Sequence, residues 1–157
     1  MPVFDLYHGY IYGTSFWYAL RGACRIYDPL MVIGWFRPPA QRNLAPNDLE
    51  VYNVWNDAWG LMTLAGVLLS FAKVVPHGSG NADESARHAK PYARAVILAT
   101  IFHHVTTAYG AYQHYKLDSH YNISMGIGVW ANVFLTLVGS ATLLFDQDDA
   151  RRTKKVM

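Results

Sequence analysis

Two ionisable side chains lie within apolar stretches of this chain, and both are types that acid–base chemistry uses. Asp57 is the one carboxylate inside a clearly predicted membrane helix, and His103 lies near the middle of another. Polar side chains are costly inside a membrane, so a function is first sought among them. Histidine changes its charge near neutral pH, so His103 can carry a proton. We therefore predict Asp57 and His103 as the catalytic residues of cofactor-free acid–base chemistry, namely isomerisation, cyclisation or dehydration.

Further polar side chains are expected near this pair, where they would bind and orient a substrate. On the second predicted span, two asparagines share the face of Asp57 at three- and four-residue steps. On the fourth, Asn132 lies at central depth and is expected to bond His103 or a ligand. Arg25 or Arg21 is expected to pair with Asp57, which could be a purely structural arrangement. The predicted substrate-binding residues are Asn53, Asn56, His114, Asn132 and Arg25.

Neither a metal nor any other cofactor is predicted. A zinc site needs three or four converging ligands, and Cys24 is the one cysteine of the chain. His103 and His114 share a helix face but lie about 16 Å apart along it, so one metal ion cannot take both. A Gly-rich phosphate loop and a nucleophile elbow are also missing from the sequence, which disfavours nucleotide-dependent enzymes.

The elements that position these residues are four predicted membrane helices, at about 6–26, 52–75, 92–115 and 121–145. The last contains no Lys, Arg, Asp or Glu, and about twenty apolar residues are enough to cross a bilayer as a helix. Asp28-Pro29 ends the first helix, and residues 30–36 are predicted to lie in the membrane interface. The predicted fold is an all-α integral membrane four-helix bundle with an interfacial segment between helices 1 and 2. A soluble bundle with unusually apolar helices is the alternative.

The connections between these helices carry turn signals. Asn47, before Leu49 and Glu50, is typical of a helix cap. The second connection, 76–91, is predicted to be a loop, and the third, 116–120, is short enough to make its flanking helices antiparallel. The whole chain, 1–157, is predicted to form a single four-span membrane domain that ends in a basic tail at 146–157.

Positive charge predicts the orientation and location of the bundle. Eight lysines and arginines flank the second connection or fill the tail, against at most five on the opposite side, which favours both termini in the cytosol. Lys154 and Lys155 resemble the dilysine retrieval signal of endoplasmic-reticulum membrane proteins. The net charge of +2 comes from dispersed residues, so no nucleic-acid partner is predicted, whereas the tail is expected to meet membrane lipids.

Two short segments carry a resemblance to known membrane proteins. They are Tyr27-Asp28-Pro29 and Asn56-Asp57-Ala58-Trp59-Gly60. Together with the spacing of the spans, they resemble DoxX-like small four-span membrane proteins of unassigned function. The layout is also similar to the four-span scaffold protein of ergosterol biosynthesis. Both resemblances imply a four-helix membrane protein, and neither supplies a catalytic motif.

The leading hypothesis is a multi-pass endoplasmic-reticulum protein that serves the biosynthesis or modification of a lipophilic metabolite of sterol, terpenoid or polyketide type. Its expected partners are that small molecule, membrane lipids and other membrane-bound biosynthetic enzymes. The alternative is a non-catalytic scaffold for such enzymes, whose contact surface would be the Ser124–Ser140 stripe or the face of His104. A small transporter is a third hypothesis, disfavoured because a single acidic residue makes a sparse ion path.

Overall fold

A computed structural model describes residues 6–72 and 84–156, with side chains described for 6–72 and 90–144. Within these ranges the chain is all-α. The helices are α1 (Leu6–Tyr27), α2 (Pro29–Phe36), α3 (Asp48–Ala72), α4 (Glu84–Tyr115) and α5 (Ile123–Val156). A 3₁₀ turn at Pro39–Gln41 follows α2. The four long helices overlap the four predicted spans, and α2 occupies the predicted interfacial segment.

Local side-chain bonds set the helix boundaries that the sequence predicts. The carboxylate of Asp28 accepts a hydrogen bond of 2.8 Å from the Met31 amide and so caps α2, while Pro29 occupies its first turn. At the start of α3, the Asn47 side chain accepts from the Glu50 amide at 2.9 Å. Glu50 returns a bond by accepting from the Asn47 amide at 2.8 Å. This reciprocal pair is a capping box, and it confirms the predicted cap.

The long helices form two antiparallel hairpins, α1 with α3 and α4 with α5. In the first, the His8 ring bonds the Ala72 carbonyl and the Ser15 hydroxyl donates to the Ala65 carbonyl, so α3 runs backwards along α1. The hairpins meet where α1 contacts α5. Their shared apolar core includes residues from α1, α3 and α4: Tyr10, Ile11, Tyr18, Leu61, Leu68 and Ile97.

The outer surface of this bundle is strongly apolar, while several polar side chains are buried. Along α4 and α5, exposed large apolar residues recur at three- and four-residue steps. These rows comprise Leu98, Phe102, Val105, Tyr109 and Tyr112, and Ile123, Ile127, Trp130, Phe134 and Leu137. The buried polar residues include His8, Thr14, Thr100, His104 and Asn132.

One stretch in the described part of the chain, Ile123–Leu144, is helical, long and apolar enough to cross a membrane. Only 22% of its apolar window is buried inside the protein, so most of it faces outward. The described part of the chain is thus all-α, with one helix that could span a membrane.

One predicted boundary is wrong, and one helix extends beyond its predicted span. The loop predicted at 76–91 is helical from Glu84 onward, and Pro91 lies inside α4; residues 73–83 lie outside the described ranges. The predicted tail is helical through Val156. In both places the helix continues into polar sequence. A search for apolar spans does not detect such polar extensions.

Candidate functional site

Two cavities lie at the end of the bundle where α1 ends and α3 begins. The inner cavity, between the two hairpins, has a volume of about 380 Å³. Its lining comprises Trp17, Leu20, Arg21, Cys24, Arg25, Trp35, Phe36, Thr107, Ala111, Ser124, Ile127, Gly128 and Asn132. The outer cavity, of about 400 Å³, lies between α2 and α3. Because Arg25 and Phe36 line both cavities, these two side chains form the wall between them.

An ion pair anchors this wall. The Nε atom of Arg25 lies 2.7 Å from Oδ2 of Asp57, and the Arg25 side chain is 9% exposed whereas that of Asp57 is 48% exposed. Arg25 also donates to the Arg21 carbonyl at 3.0 Å, and its guanidinium carbon lies 5.8 Å from the centre of the Phe36 ring. The predicted pairing of Asp57 with Arg25 is confirmed.

Three buried nitrogen atoms have no hydrogen-bond partner in the described part of the chain. They are Nη1 of Arg21, Nε1 of Trp17 and Nε2 of His103. Arg21 and Trp17 lie four residues apart on α1 and both line the inner cavity. The His103 ring packs edge-on against Tyr18, with ring centres 5.3 Å apart. Buried polar groups are normally bonded, so the Arg21 and Trp17 atoms mark the inner cavity as able to bind a polar group.

A buried hydrogen-bonded chain runs from α1 to the inner cavity. Nδ1 of His104 lies 2.8 Å from Oδ1 of Asn132, and the Asn132 amide nitrogen donates to the Gly128 carbonyl. Because Oδ1 can only accept, His104 carries its proton on Nδ1. Its Nε2 therefore accepts from the Tyr18 hydroxyl, 3.1 Å away. These bonds join α1, α4 and α5 and fix Asn132 in the cavity lining.

The outer cavity is charged and is closed on one side by Arg37. The Arg37 guanidinium bonds both carboxylate oxygens of Glu50, at 3.2 and 2.6 Å. It also donates to the carbonyls of Leu44 and Ala45, which fold the connection onto α3. The hydrogen bond from Arg37, followed by that from the Asn47 amide, holds the pKa of Glu50 below the ordinary value of a glutamate.

With this geometry established, comparison with known families places the chain. A family model described as a domain of unknown function, DUF8792, matches residues 10–157. The chain belongs to the DUF8792 family. No curated protein and no solved structure matches it.

The match covers every described helix of this DUF8792 protein except the first residues of α1. Its family description assigns no activity, so the resemblance to DoxX-like and sterol-biosynthesis four-span proteins stays a prediction. No three His, Cys, Asp or Glu side chains gather into a possible metal site within the described ranges.

The predicted site residues of the DUF8792 protein separate into three groups. Arg25 and Asn132 line the inner cavity. Asp57 and Asn53 line the outer one. The remaining members line neither cavity. His103 packs against Tyr18, whereas Asn56 and His114 are exposed, with His114 beside His120. The two predicted proton carriers therefore do not face a common cavity.

Two details predicted for α4 are wrong. His104 does not offer an outward surface, because it is completely buried against Tyr18 and Asn132. Asn132 bonds His104 rather than His103. The rotation of α4 about its axis decides both outcomes, because adjacent residues of a helix point about 100° apart.

Cys24 was missed as a member of the site, and the sequence left open whether Trp17 and Tyr18 line a pocket or belong to an interfacial belt. A usable signal was present, since Trp17, Arg21 and Arg25 follow one another at steps of four residues and so share one face of α1. That face meets the other hairpin, which only the packing of the helices reveals.

Proposed function

We propose that this chain is a four-span membrane protein of the endoplasmic reticulum that binds a lipophilic molecule in its inner cavity. It would serve the biosynthesis or modification of that molecule, of sterol, terpenoid or polyketide type. The observation that carries the proposal is the inner cavity itself. It is lined mainly by apolar side chains, with a few polar groups from α1, α4 and α5, which is the usual composition of a small-molecule site.

The distribution of polarity supports four spans rather than one. Monomeric soluble proteins rarely expose contiguous apolar patches larger than a few hundred Å², yet rows of large apolar residues cover the outer faces of this bundle. Lipid would cover these rows, and the buried polar side chains would be satisfied between the helices. Aromatic residues typical of a membrane interface are exposed where α1 ends, α3 begins and α5 begins: Tyr27, Trp35, Tyr52, Trp55 and Tyr121.

Binding has more support than catalysis. Asp57 is held in an ion pair with Arg25 on the outer side of the wall. The half-buried His103 packs against Tyr18 and does not line the outer cavity. Acid–base catalysis by this pair would need the substrate to approach both residues. We therefore propose ligand binding as the primary activity, and isomerisation, cyclisation or dehydration as chemistry that Asp57 and His103 would perform if Arg25 moves.

The scaffold hypothesis has less support, because the His104 face and the Ser124–Ser140 stripe, its two expected contact surfaces, turn into the bundle. His104 is buried. The small-residue stripe of α5 turns toward α4, because a Cβ atom built on Gly128 would lie 3.6 Å from that of Ala111. Asn132 within the same stripe is also buried. Ligand binding uses the observed geometry better than a scaffold does.

Cys24 supplies a direct test of this proposal, because it is the one cysteine and it lines the inner cavity. The purified protein in lipid nanodiscs would be alkylated with a maleimide in the presence of a series of sterols and of long-chain acids, alcohols and amines. A molecule that occupies the cavity should slow the alkylation of Cys24 several-fold. The rate would be followed by mass spectrometry.

The matched control is a double variant, Cys24→Ala with Ala99→Cys, which moves the thiol to the exposed outer face of α4. Its alkylation should not respond to the same molecules. Equal slowing at both positions would show only partitioning of the probe into lipid. No slowing at Cys24 by any lipophilic molecule, whether acidic, neutral or basic, would refute the proposed binding.

A further inference from the structure

We propose that the inner cavity selects a lipophilic carboxylate, whose head group Arg21 and Trp17 bind. This inference rests on the proposed function, because it names the class of molecule that the cavity would hold. It assigns a role to two residues that neither the predicted acid–base pair nor the ion pair in the wall uses.

The first argument is the donor character of the unpartnered atoms. Nη1 of Arg21 and Nε1 of Trp17 are buried and lack hydrogen-bond partners among the described residues. Both atoms can only donate. Since Arg21 and Trp17 are four residues apart, their side chains lie on the same face of α1. A ligand group that satisfies both must be an acceptor, and buried donors without one are costly.

The charge of the cavity lining also favours an anionic ligand. Asp57 lies 2.7 Å from Arg25 and so balances that guanidinium. No Asp or Glu belongs to the lining of the inner cavity, and no ion pair with Arg21 is found in the described part of the chain. One positive charge thus remains beside an apolar cavity, where the low dielectric strengthens electrostatic interactions. An anionic ligand would balance this charge, whereas an amine would be repelled by it.

The third argument concerns the size and the charge of the ligand. A cavity of about 380 Å³ lies near the lower end of the range for ligand sites, about 300–1,000 Å³. It therefore suits one acyl chain or one compact ring system rather than a two-chain phospholipid. A carboxylate carries one negative charge, which matches the single unbalanced guanidinium, and its two oxygens can accept from Arg21 and Trp17 together.

The test compares three probes with the same chain and different head groups: palmitate, hexadecanol and hexadecylamine. Each would be titrated against the full-length protein in uncharged phosphatidylcholine nanodiscs, with protection of Cys24 from alkylation as the readout. The expected order is palmitate, then hexadecanol, then hexadecylamine. Palmitate should bind about tenfold or more tightly than hexadecanol, as expected for charge-assisted hydrogen bonds.

Arg21→Gln should remove this preference and leave hexadecanol binding within about twofold, as the lost term is electrostatic. Arg42→Gln, an identical change at an exposed position of the connection between α2 and α3, should keep the preference. Trp17→Phe removes one donor and replaces the indole by a smaller aromatic ring, and should weaken palmitate binding more than hexadecanol binding. Trp130→Phe is its control, because Trp130 lies on the exposed face of α5.

The outcomes separate this inference from the proposed function. Equal protection by palmitate and hexadecanol, unaffected by Arg21→Gln, would overturn the carboxylate assignment and leave lipophilic binding intact. Protection by none of the three probes, in a series that includes sterols, would remove both. If Arg21→Gln does not fold, Trp17→Phe decides the matter: an unchanged preference for palmitate overturns the inference.

Discussion

Arg25 is restrained from three directions, and these restraints keep the two cavities separate. Asp57 pairs with it from α3, the Arg21 carbonyl accepts from it within α1, and the Phe36 ring of α2 lies beside its guanidinium. A guanidinium that is nearly buried needs such partners. Because Asp57 pairs with Arg25, Arg21 has no ion pair within the described ranges, and the lining of the inner cavity is positively charged.

Asp57→Asn should destabilise the protein by about 1–2 kcal/mol. The change leaves Arg25 buried without a counter-charge, which costs more free energy than the loss of an exposed ion pair. Because Asp57 is half-exposed, the cost stays below that of breaking a fully buried ion pair. Asp118→Asn, an exposed change in the turn before α5, should have little effect. Unfolding in detergent with a chemical denaturant measures both. Equal stability of the two variants would mean that the ion pair does not hold Arg25.

The bond between Arg37 and Glu50 should make the stability of the connection between α2 and α3 sensitive to acid. Its folded pKa lies below that of the unfolded chain because Arg37 and the Asn47 amide bond the charged carboxylate. The stabilisation is therefore complete above the ordinary glutamate pKa of about 4.3. It is lost as the pH falls through the lower folded value.

Glu50→Gln should flatten this acidic part of the stability profile, measured by thermal unfolding between about pH 3 and 6. The neighbouring Asp48→Asn keeps the Arg37 contact and should retain the acid-sensitive slope. A profile for Glu50→Gln that has the same slope as the unmodified chain would contradict the assigned role of Arg37.

At the residue scale, the sequence predicted the pairing of Arg25 with Asp57, because an isolated charge in an apolar segment needs a partner close in depth. It did not predict that His104, rather than His103, bonds Asn132. Two adjacent histidines have the same depth and hydropathy. Only the packing of α4 against α1 and α5 distinguishes them, and that packing depends on contacts across the whole bundle.

At the scale of elements, glycines allow the closest helix approaches. A Cβ atom on Gly139 would lie 2.9 Å from Ile101 of α4 and from the buried ring of Tyr10 of α1. A Cβ atom on Gly22 of α1 would likewise lie 3.1 Å from the Ala58 carbonyl oxygen of α3. Small residues that let helix backbones approach are typical of membrane bundles.

Gly139→Ala should therefore destabilise the bundle by about 1–3 kcal/mol through overpacking. Gly110→Ala is the matched control, because no atom lies within 4 Å of its added Cβ. There the helical preference of alanine should leave stability unchanged or slightly raised. Thermal unfolding in detergent would compare them. A neutral Gly139→Ala would show that α1, α4 and α5 are not closely packed at this point.

Element positions were largely predictable, because apolar runs and capping residues are local signals. The capping box at Asn47 and the proline after Asp28 set two boundaries correctly. The helical segments 84–91 and 146–156 were missed because they are polar. Hydropathy reports which residues suit lipid, whereas a helix extends as far as its backbone bonds can be formed.

At the scale of the whole molecule, two hairpins enclose polar residues and present apolar rows outward. This arrangement encloses the inner cavity, the proposed ligand site, between the hairpins rather than at the surface. The inner cavity draws its lining from α1, α2, α4 and α5. It exists only when both hairpins are assembled, so no single segment of the sequence could predict it.

The proposed endoplasmic-reticulum location rests on the resemblance of Lys154 and Lys155 to a dilysine retrieval signal. Replacing Lys154 and Lys155 by serine should shift a tagged protein from the endoplasmic reticulum to later secretory compartments, since the dilysine signal would be lost. Serine at Arg151 and Arg152 removes the same charge and should leave the location unchanged. Fluorescence microscopy with organelle markers measures the shift. Reticular staining of the lysine variant would contradict the retrieval hypothesis.

The most direct measurement of the central claim is mass spectrometry of the small molecules that co-purify with the protein from its membrane. The unmodified chain would be compared with Cys24→Phe, which fills the inner cavity, and with Ala99→Phe, which adds the same ring to the outer face of α4. The account predicts a lipophilic molecule that accompanies the unmodified chain and Ala99→Phe but is lost from Cys24→Phe. The same molecules in equal amounts on all three proteins would contradict it.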